Sequence, residues 1–494
     1  MSQVATSAPE KARHWIGGAW VDSAQTRVSI NPSTSEPVGA FADGGLIEAE
    51  AAVAAARRAF DTTAWSRDRK LRAAALFELA DRMTERAPAI ALSLSREMGK
   101  TIGDSTFEAT VTPNTLRHNA GLALSQTGSA SELAPGLLAT SWREAIGVAA
   151  IIVPWNAPVA LLLRALGPAL AAGCTVAIKL PAQTALTNYL IMQAVAATRS
   201  LPAGVVNIFT ELGNEGAPFL VSSPHVDVVN YTGSTKVGRS IAVKAAQTLK
   251  RVTLELGGKT PLVVFEDMDV EQVAPIIVRA LTQFNGQFCM AGSRVLVQAS
   301  VADAYRRRLT ELLQAVKIGP AEDPSSQLGP LVDQANLERV ERFVEDAGGY
   351  ARVLLRGGRI KEGPLAKGAF FRPALLEPNS IDTPLVQQEV FAPVLSFETF
   401  ADEAAALERA NATEFGLAAA VFTADRSRAH RVAQGIKAGT VWTNTWGIVD
   451  DVFEEGGFKQ SGIGRARGQR ALEEFQEIKT RIEMVAPALP DARG

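Results

Sequence analysis

Cysteine and histidine are scarce in this chain, which has Cys174, Cys289, His14, His118, His225 and His430 and no others among 494 residues. Two cysteines far apart in sequence give no disulfide framework and fit a reducing compartment, so a cytoplasmic location is expected. Unclustered cysteines and scattered histidines also make no structural or catalytic metal set, and no metal is expected. Excess basic charge is missing as well. A formal charge of -2 leaves no field for nucleic acid or an anionic membrane surface, and neither is expected as a partner. Nor is there a run of about 18 apolar residues, the length needed to span a bilayer. The most apolar stretch, Val148 to Leu163, is interrupted by Pro154, Asn156 and Pro158, and Met1 to His14 has no apolar signal-peptide core. Internal repeats and low-complexity segments are absent.

What is present is ordinary globular material, 47% hydrophobic and 21% charged, in a chain long enough that two or more domains are expected. From Glu48 to Leu124 the pattern is mainly helical, as in Ala49 to Phe60 and Leu71 to Met83. Short β-branched or apolar runs follow at Ile146 to Val153, Thr175 to Ile178, Val205 to Phe209, Val226 to Tyr231 and Val252 to Leu256, separated by helical stretches such as Val159 to Ala172. Strands alternating with helices predict an α/β fold with a parallel sheet covered on both faces. The pattern restarts after Gly258, with strands at Leu262 to Phe265 and Arg294 to Gln298 and helices at Val270 to Phe284 and Val301 to Val316. Ser125 to Ser141 has little core pattern and is expected to leave the domain as an arm.

The most informative residues are Cys289, in Asn285-Gly286-Gln287-Phe288-Cys289-Met290-Ala291-Gly292, and Glu255, in Leu254-Glu255-Leu256-Gly257-Gly258-Lys259. A thiol of pKa about 8.5 reacts as thiolate and needs a nearby proton acceptor or a lowered pKa. Glu255 is the candidate acceptor, and the glycines would let a substrate carbonyl and backbone N–H groups approach the sulfur. A buried core cysteine and a solvated strand end are the plain alternatives.

These motifs, with Pro154-Trp155-Asn156-Ala157-Pro158, Thr232-Gly233-Ser234-Thr235-Lys236-Val237-Gly238, Glu389-Val390-Phe391-Ala392-Pro393-Val394 and Gly456-Gly457-Phe458-Lys459-Gln460-Ser461-Gly462, agree in order and spacing with the aldehyde dehydrogenase superfamily, which the chain resembles from about Trp15 to Met484. The resemblance implies a Rossmann-like cofactor-binding domain (1–124 and 142–257), a second α/β catalytic domain (258–470) and a small β oligomerisation arm (125–141 and 471–494). It implies NAD(P)-dependent oxidation of an aldehyde to the acid through a cysteine thiohemiacetal and thioester, with Cys289 as nucleophile, Glu255 as base and the Asn156 amide as oxyanion donor. It further implies NAD or NADP held by Trp155, Lys179, Gly233, Ser234, Gly238, Glu389 and Phe391, and a homodimer or homotetramer. Gly233 and Gly238 do not have the dinucleotide fingerprint spacing, but Tyr231 ends a predicted strand and Lys236 to Ala246 reads as a helix, so Ser234 lies near a helix N-terminus suited to pyrophosphate. Ala182 stands where many NAD-using members carry a glutamate, which permits NADP.

For the substrate, Ala157 opens volume and Arg164 offers forked donors to an oxygen. Arginine at this spacing resembles members that oxidise salicylaldehyde- or vanillin-type aromatic aldehydes and members that oxidise succinic semialdehyde. Trp446 is expected as a flat pocket wall. Glu455 would neutralise Arg164 if the two are close. A polar or aromatic aldehyde is the expected substrate, with a semialdehyde as the alternative. Glu255 argues against a coenzyme A acylating enzyme, and the lack of a histidine partner near Cys289 argues against a cysteine hydrolase. A silent dinucleotide-binding relative need not keep Cys289, Glu255 and Asn156 together.

Overall fold

A computed structural model describes residues 11–485; the expected segments at 1–10 and 486–494 lie outside the described residues. Five parallel strands, Val148–Ile152, Thr175–Pro181, Val206–Glu211, Val228–Thr232 and Arg251–Glu255, form the centre of the first sheet. Their spatial order is third, second, first, fourth, fifth. Successive side chains point to opposite faces. Ala149 and Ile151 pack with Leu162, Leu166 and Leu170 of the helix Pro158–Ala172 on one side, while Val148, Ala150 and Ile152 pack with Val53 and Ala56 of the helix Leu46–Thr62 on the other. Burial on both faces explains why these strands read as continuous apolar runs. Strand order reverses between Val148–Ile152 and Val228–Thr232, so a crevice opens beyond their carboxyl ends. Asn156 follows the first of these strands, and Gly233 and Ser234 follow the second.

The first sheet gains antiparallel strands at both edges. His14–Ile16 and Ala19–Val21 extend one side, and Gly462–Ile463 pairs with Arg251–Glu255 on the other. Gly462–Ile463 falls in the stretch expected to belong to the second domain, yet it crosses to the first sheet.

The second sheet has seven strands in the order Ala351–Leu355, Ala374–Pro378, Val394–Phe400, Arg294–Gln298, Pro261–Val264, Ala418–Phe422 and Thr440–Thr443, parallel except for the first. A third sheet is a hairpin of Ser129–Ala134 and Leu137–Ala145, with Gln476–Met484 laid antiparallel along the longer strand. The hairpin begins later and ends later than 125–141, because the helix Pro113–Ser125 runs to its last residue and the strand continues to Ala145. No helix among the described residues is long and apolar enough to cross a membrane.

Candidate active site

The cysteine loop begins where the helix Val270–Thr282 stops. Phe284, Asn285 and Gly286 take left-handed backbone angles with φ of 52°, 58° and 74°, a conformation that costs non-glycine residues about 1–2 kcal/mol each. Asn285 accounts for its own strain, since its side-chain Nδ2 donates to the carbonyls of Gly99 (2.7 Å) and Pro330 (2.8 Å) and its Oδ1 accepts from Gly329 N–H (2.8 Å). At position 286 only glycine fits. An added Cβ would lie 2.5 Å from Pro393 N and 2.6 Å from the Ala392 carbonyl carbon. Cys289 is half-buried. Trp446, expected as a pocket wall, is fully buried beneath this loop, edge-on to Phe288 and donating its indole N–H to Met290 O at 3.1 Å. A buried indole needs such an acceptor, and Met290 is the residue beside Cys289.

The glutamate motif touches the cysteine loop directly. Glu255 ends its strand, and a Cβ on Gly258 would sit 2.5 Å from Cys289 O. The motif Gly456–Gly462 clamps the same turn. Ser461 O accepts from Leu256 N–H (2.9 Å), and its hydroxyl donates to Gly257 O (2.7 Å) while accepting from Gly416 N–H (2.9 Å). Glu255 is buried, and its Oε1 has no hydrogen-bond partner among the described residues. Burial pushes its carboxyl up to about 8, with Arg164 pulling the other way. Burial also pushes the Cys289 thiol up to about 12, with Glu455 adding to the rise and Arg164 opposing it. Both groups therefore rest in their protonated forms at neutral pH. Asn156 is buried in the turn after Val148–Ile152, one residue before Ala157, the N-cap of the helix Pro158–Ala172.

The expected dinucleotide residues gather along the crevice. Ser234 is the N-cap of the helix Thr235–Ala246, its hydroxyl accepting from Val237 N–H at 3.4 Å. Gly238 lets that helix settle on Leu256, whose Cδ2 would be 2.5 Å from an added Cβ. Trp155 and Phe391 meet edge-to-face at 5.5 Å across the cleft. Glu389 Oε1 accepts from Gly258 N–H at 3.2 Å, and burial pushes its carboxyl up to about 7. Lys179 lies on Thr175–Pro181, and Ala182 is buried in the turn that follows. Burial lowers the Lys179 amine, while Glu211 and Asp43 raise it. The strand end is thus acidic although position 182 is not. Glu211, which pairs with Pro181 across the strand, had no motif to single it out.

Arg164 is committed to protein partners. Its Nη1 donates to Glu455 Oε1 at 2.5 Å and its Nη2 to Thr232 Oγ1 at 3.0 Å, and both charged side chains are nearly buried. Glu455 Oε2 also accepts from Arg467 Nε at 2.9 Å, and Arg467 pairs in turn with Asp451. Burial works to raise the Glu455 carboxyl, but the two arginines hold it below the ordinary range.

The sequence model of the aldehyde dehydrogenase family matches residues 20–481. A (Z)-2-((N-methylformamido)methylene)-5-hydroxybutyrolactone dehydrogenase of Acinetobacter baylyi is 35% identical over 94% of this chain and 95% of its own length. Aldehyde dehydrogenase 1 of Tanacetum cinerariifolium is 36% identical over 94% of each. The structure of betaine aldehyde dehydrogenase from Staphylococcus aureus in complex with NAD+ superposes with a TM-score of 0.94 at 33% identity, covering 98% of this chain and 97% of that one. The chain belongs to the aldehyde dehydrogenase family and is an NAD(P)-dependent oxidoreductase of it.

Proposed function

We propose that this protein oxidises an uncharged polar or aromatic aldehyde to the carboxylic acid through a thiohemiacetal and a thioester on Cys289. The observation that carries the reading is the contact of the Gly257-Gly258 turn with the Cys289 carbonyl, which sets a buried carboxyl and a half-buried thiol in one electrostatic environment. A dinucleotide fits the crevice, where a helix N-terminus capped by Ser234 would face pyrophosphate, Lys179 the adenosine ribose, and Glu389 and Phe391 the nicotinamide end. When bound, its nicotinamide supplies the acceptor for the hydride. Glu211 and Asp43 near Lys179 favour NAD over NADP by repelling a 2′-phosphate.

In this scheme Glu255 takes the thiol proton and Cys289 Sγ bonds to the carbonyl carbon. The oxygen becomes an oxyanion that accepts from the Asn156 amide and the Cys289 backbone N–H. Removing one such donor costs about 3 kcal/mol of transition-state stabilisation. Departure of hydride from the same carbon restores the C=O bond as a thioester. Glu255 passes the thiol proton to solvent and, ionised again, takes a proton from water as the water oxygen bonds to the thioester carbon; the C–S bond breaks with its electron pair on sulfur, and the acid leaves. Glu255 must be ionised to act. Since its carboxyl is held near 8, kcat is expected to fall about tenfold per pH unit below that value. A pH series of steady-state rates checks this, and a flat profile between pH 6 and pH 8, about the range in question, would remove Glu255 as the base.

Arg164 supports the substrate assignment by being occupied. A carboxylate-bearing aldehyde would have to displace Glu455 from the buried pair, whereas a neutral aldehyde need not. Vanillin- or salicylaldehyde-type substrates are expected to exceed succinic semialdehyde in kcat/KM by about tenfold or more. A panel followed by cofactor absorbance tests it, and preference for the semialdehyde or for long aliphatic aldehydes overturns the assignment.

We also assign the first and second sheets to cofactor-binding and catalytic domains and the hairpin to an oligomerisation arm. Exposed Leu133, Ile478, Ile482 and Met484 on that third sheet support a homo-oligomer.

A further inference from the structure

A buried charge outside the reacting groups joins the two loops that carry Asn156 and Cys289. Glu108, on the helix Ile102–Val111, is buried, and its Oε1 accepts from both Val159 N–H and Ala160 N–H at 3.0 Å. These are orphan donors in the first turn of Pro158–Ala172, whose own N-cap, Ala157, has no side-chain acceptor. The glutamate therefore caps, from another helix, the turn that holds Asn156. Its Oε2 pairs with the fully buried Lys100, whose ammonium lies 3.7 Å from the centre of the Phe284 ring. Phe284 opens the cysteine loop, its N–H donates to Asp104 Oδ2 at 3.0 Å, and its ring packs on Phe288 next to Cys289. Asn285 is bound to Gly99 of the same segment.

We propose that Glu108 is a positioning residue of the reaction, holding the Asn156 amide in register with the Cys289 N–H so that one oxyanion meets both donors. The inference rests on the oxyanion role assigned to Asn156 above. A carboxylate suits the place because the helix N-terminus attracts negative charge and Lys100 neutralises what remains. Small displacements of such donors are costly in rate.

The test is a double-mutant cycle of Glu108→Gln with Asn156→Ala, using vanillin and NAD+, with melting temperatures read in parallel. Glu108→Gln keeps volume and one oxygen but loses the charge. It is expected to lower kcat about tenfold with both KM values within about twofold, and to change kcat less than about twofold when Asn156 is already alanine. Glu108→Ala is expected to behave likewise with a larger loss; should it fail to fold, the glutamine variant carries the cycle. Equal fractional losses in both backgrounds, or an effect confined to KM or melting temperature, would overturn the proposal. Wild-type protein that binds NAD+ yet oxidises no aldehyde would instead remove the functional reading, and this inference with it.

Discussion

Replacing Glu255 by glutamine is expected to leave a single-turnover burst of reduced cofactor followed by a steady rate lowered about a thousandfold, the scale of a lost general base. Glutamine matches the glutamate in shape and can still donate or accept a hydrogen bond, but it cannot take a proton from water. Acylation raised to high pH can proceed without it, since hydroxide removes the thiol proton; hydrolysis of the thioester then stalls. Rapid mixing with aldehyde and dinucleotide reads both phases at once. Unchanged steady turnover would reject the role of Glu255, and absence of the burst even at high pH would mean that hydroxide cannot replace this carboxyl in taking the thiol proton. The unbonded Oε1 and the burial of the side chain are what make the outcome sharp, because nearby Glu455 is held by Arg164 and Arg467 and nearby Glu389 by Gly258 N–H.

A methyl group at Gly286 should do comparable harm without touching any reacting atom. Alanine there that holds φ near +74°, at about 1–2 kcal/mol, also pushes its Cβ into the backbone of Ala392 and Pro393, both within 2.6 Å. Backbone cannot yield as a flexible side chain can, so the loop must move, and Cys289 moves with it. A displacement of about 1 Å is enough for a hundredfold loss in kcat/KM. Gly286→Ala is therefore expected to lose about that much activity and to melt earlier, measured by aldehyde kinetics and thermal unfolding. Activity within a few-fold of wild type would show that the left-handed turn is not needed to aim the sulfur.

Much of this architecture could be read from the chain because the relevant physics is local. Strands buried on both faces leave continuous apolar runs, and these predicted the five parallel strands from Val148 to Glu255. Ser234 was legible as a helix start because capping chemistry acts over three residues, although the helix begins at Thr235, one residue before the expected Lys236. Non-local contacts were not legible. The backbone donors to Glu108, Val159 and Ala160, lie 51 and 52 residues from it in sequence, and a local pattern sees only one more helical glutamate. Arg164 and Glu455, 291 residues apart, could be joined only conditionally, because nothing local says whether the two are close. Trp446 looked like a pocket wall because it lies in the stretch where members of the family place pocket residues; its indole N–H found Met290 O in the interior instead. The hairpin Gln25–Ile30 and Pro37–Asp43 escaped notice because most of its first strand is exposed, with Val28 and Ile30 outside and only Ser29 buried.

The Ser461 clamp has a kinetic meaning. One hydroxyl is shared between Gly257 of the glutamate turn and Gly416 at the second sheet, and the next two residues are knitted into the first. Swinging the two lobes apart would tear those bonds and drag Glu255 away from the sulfur. A hinge between the two sheets would have to break and remake these bonds at every turnover.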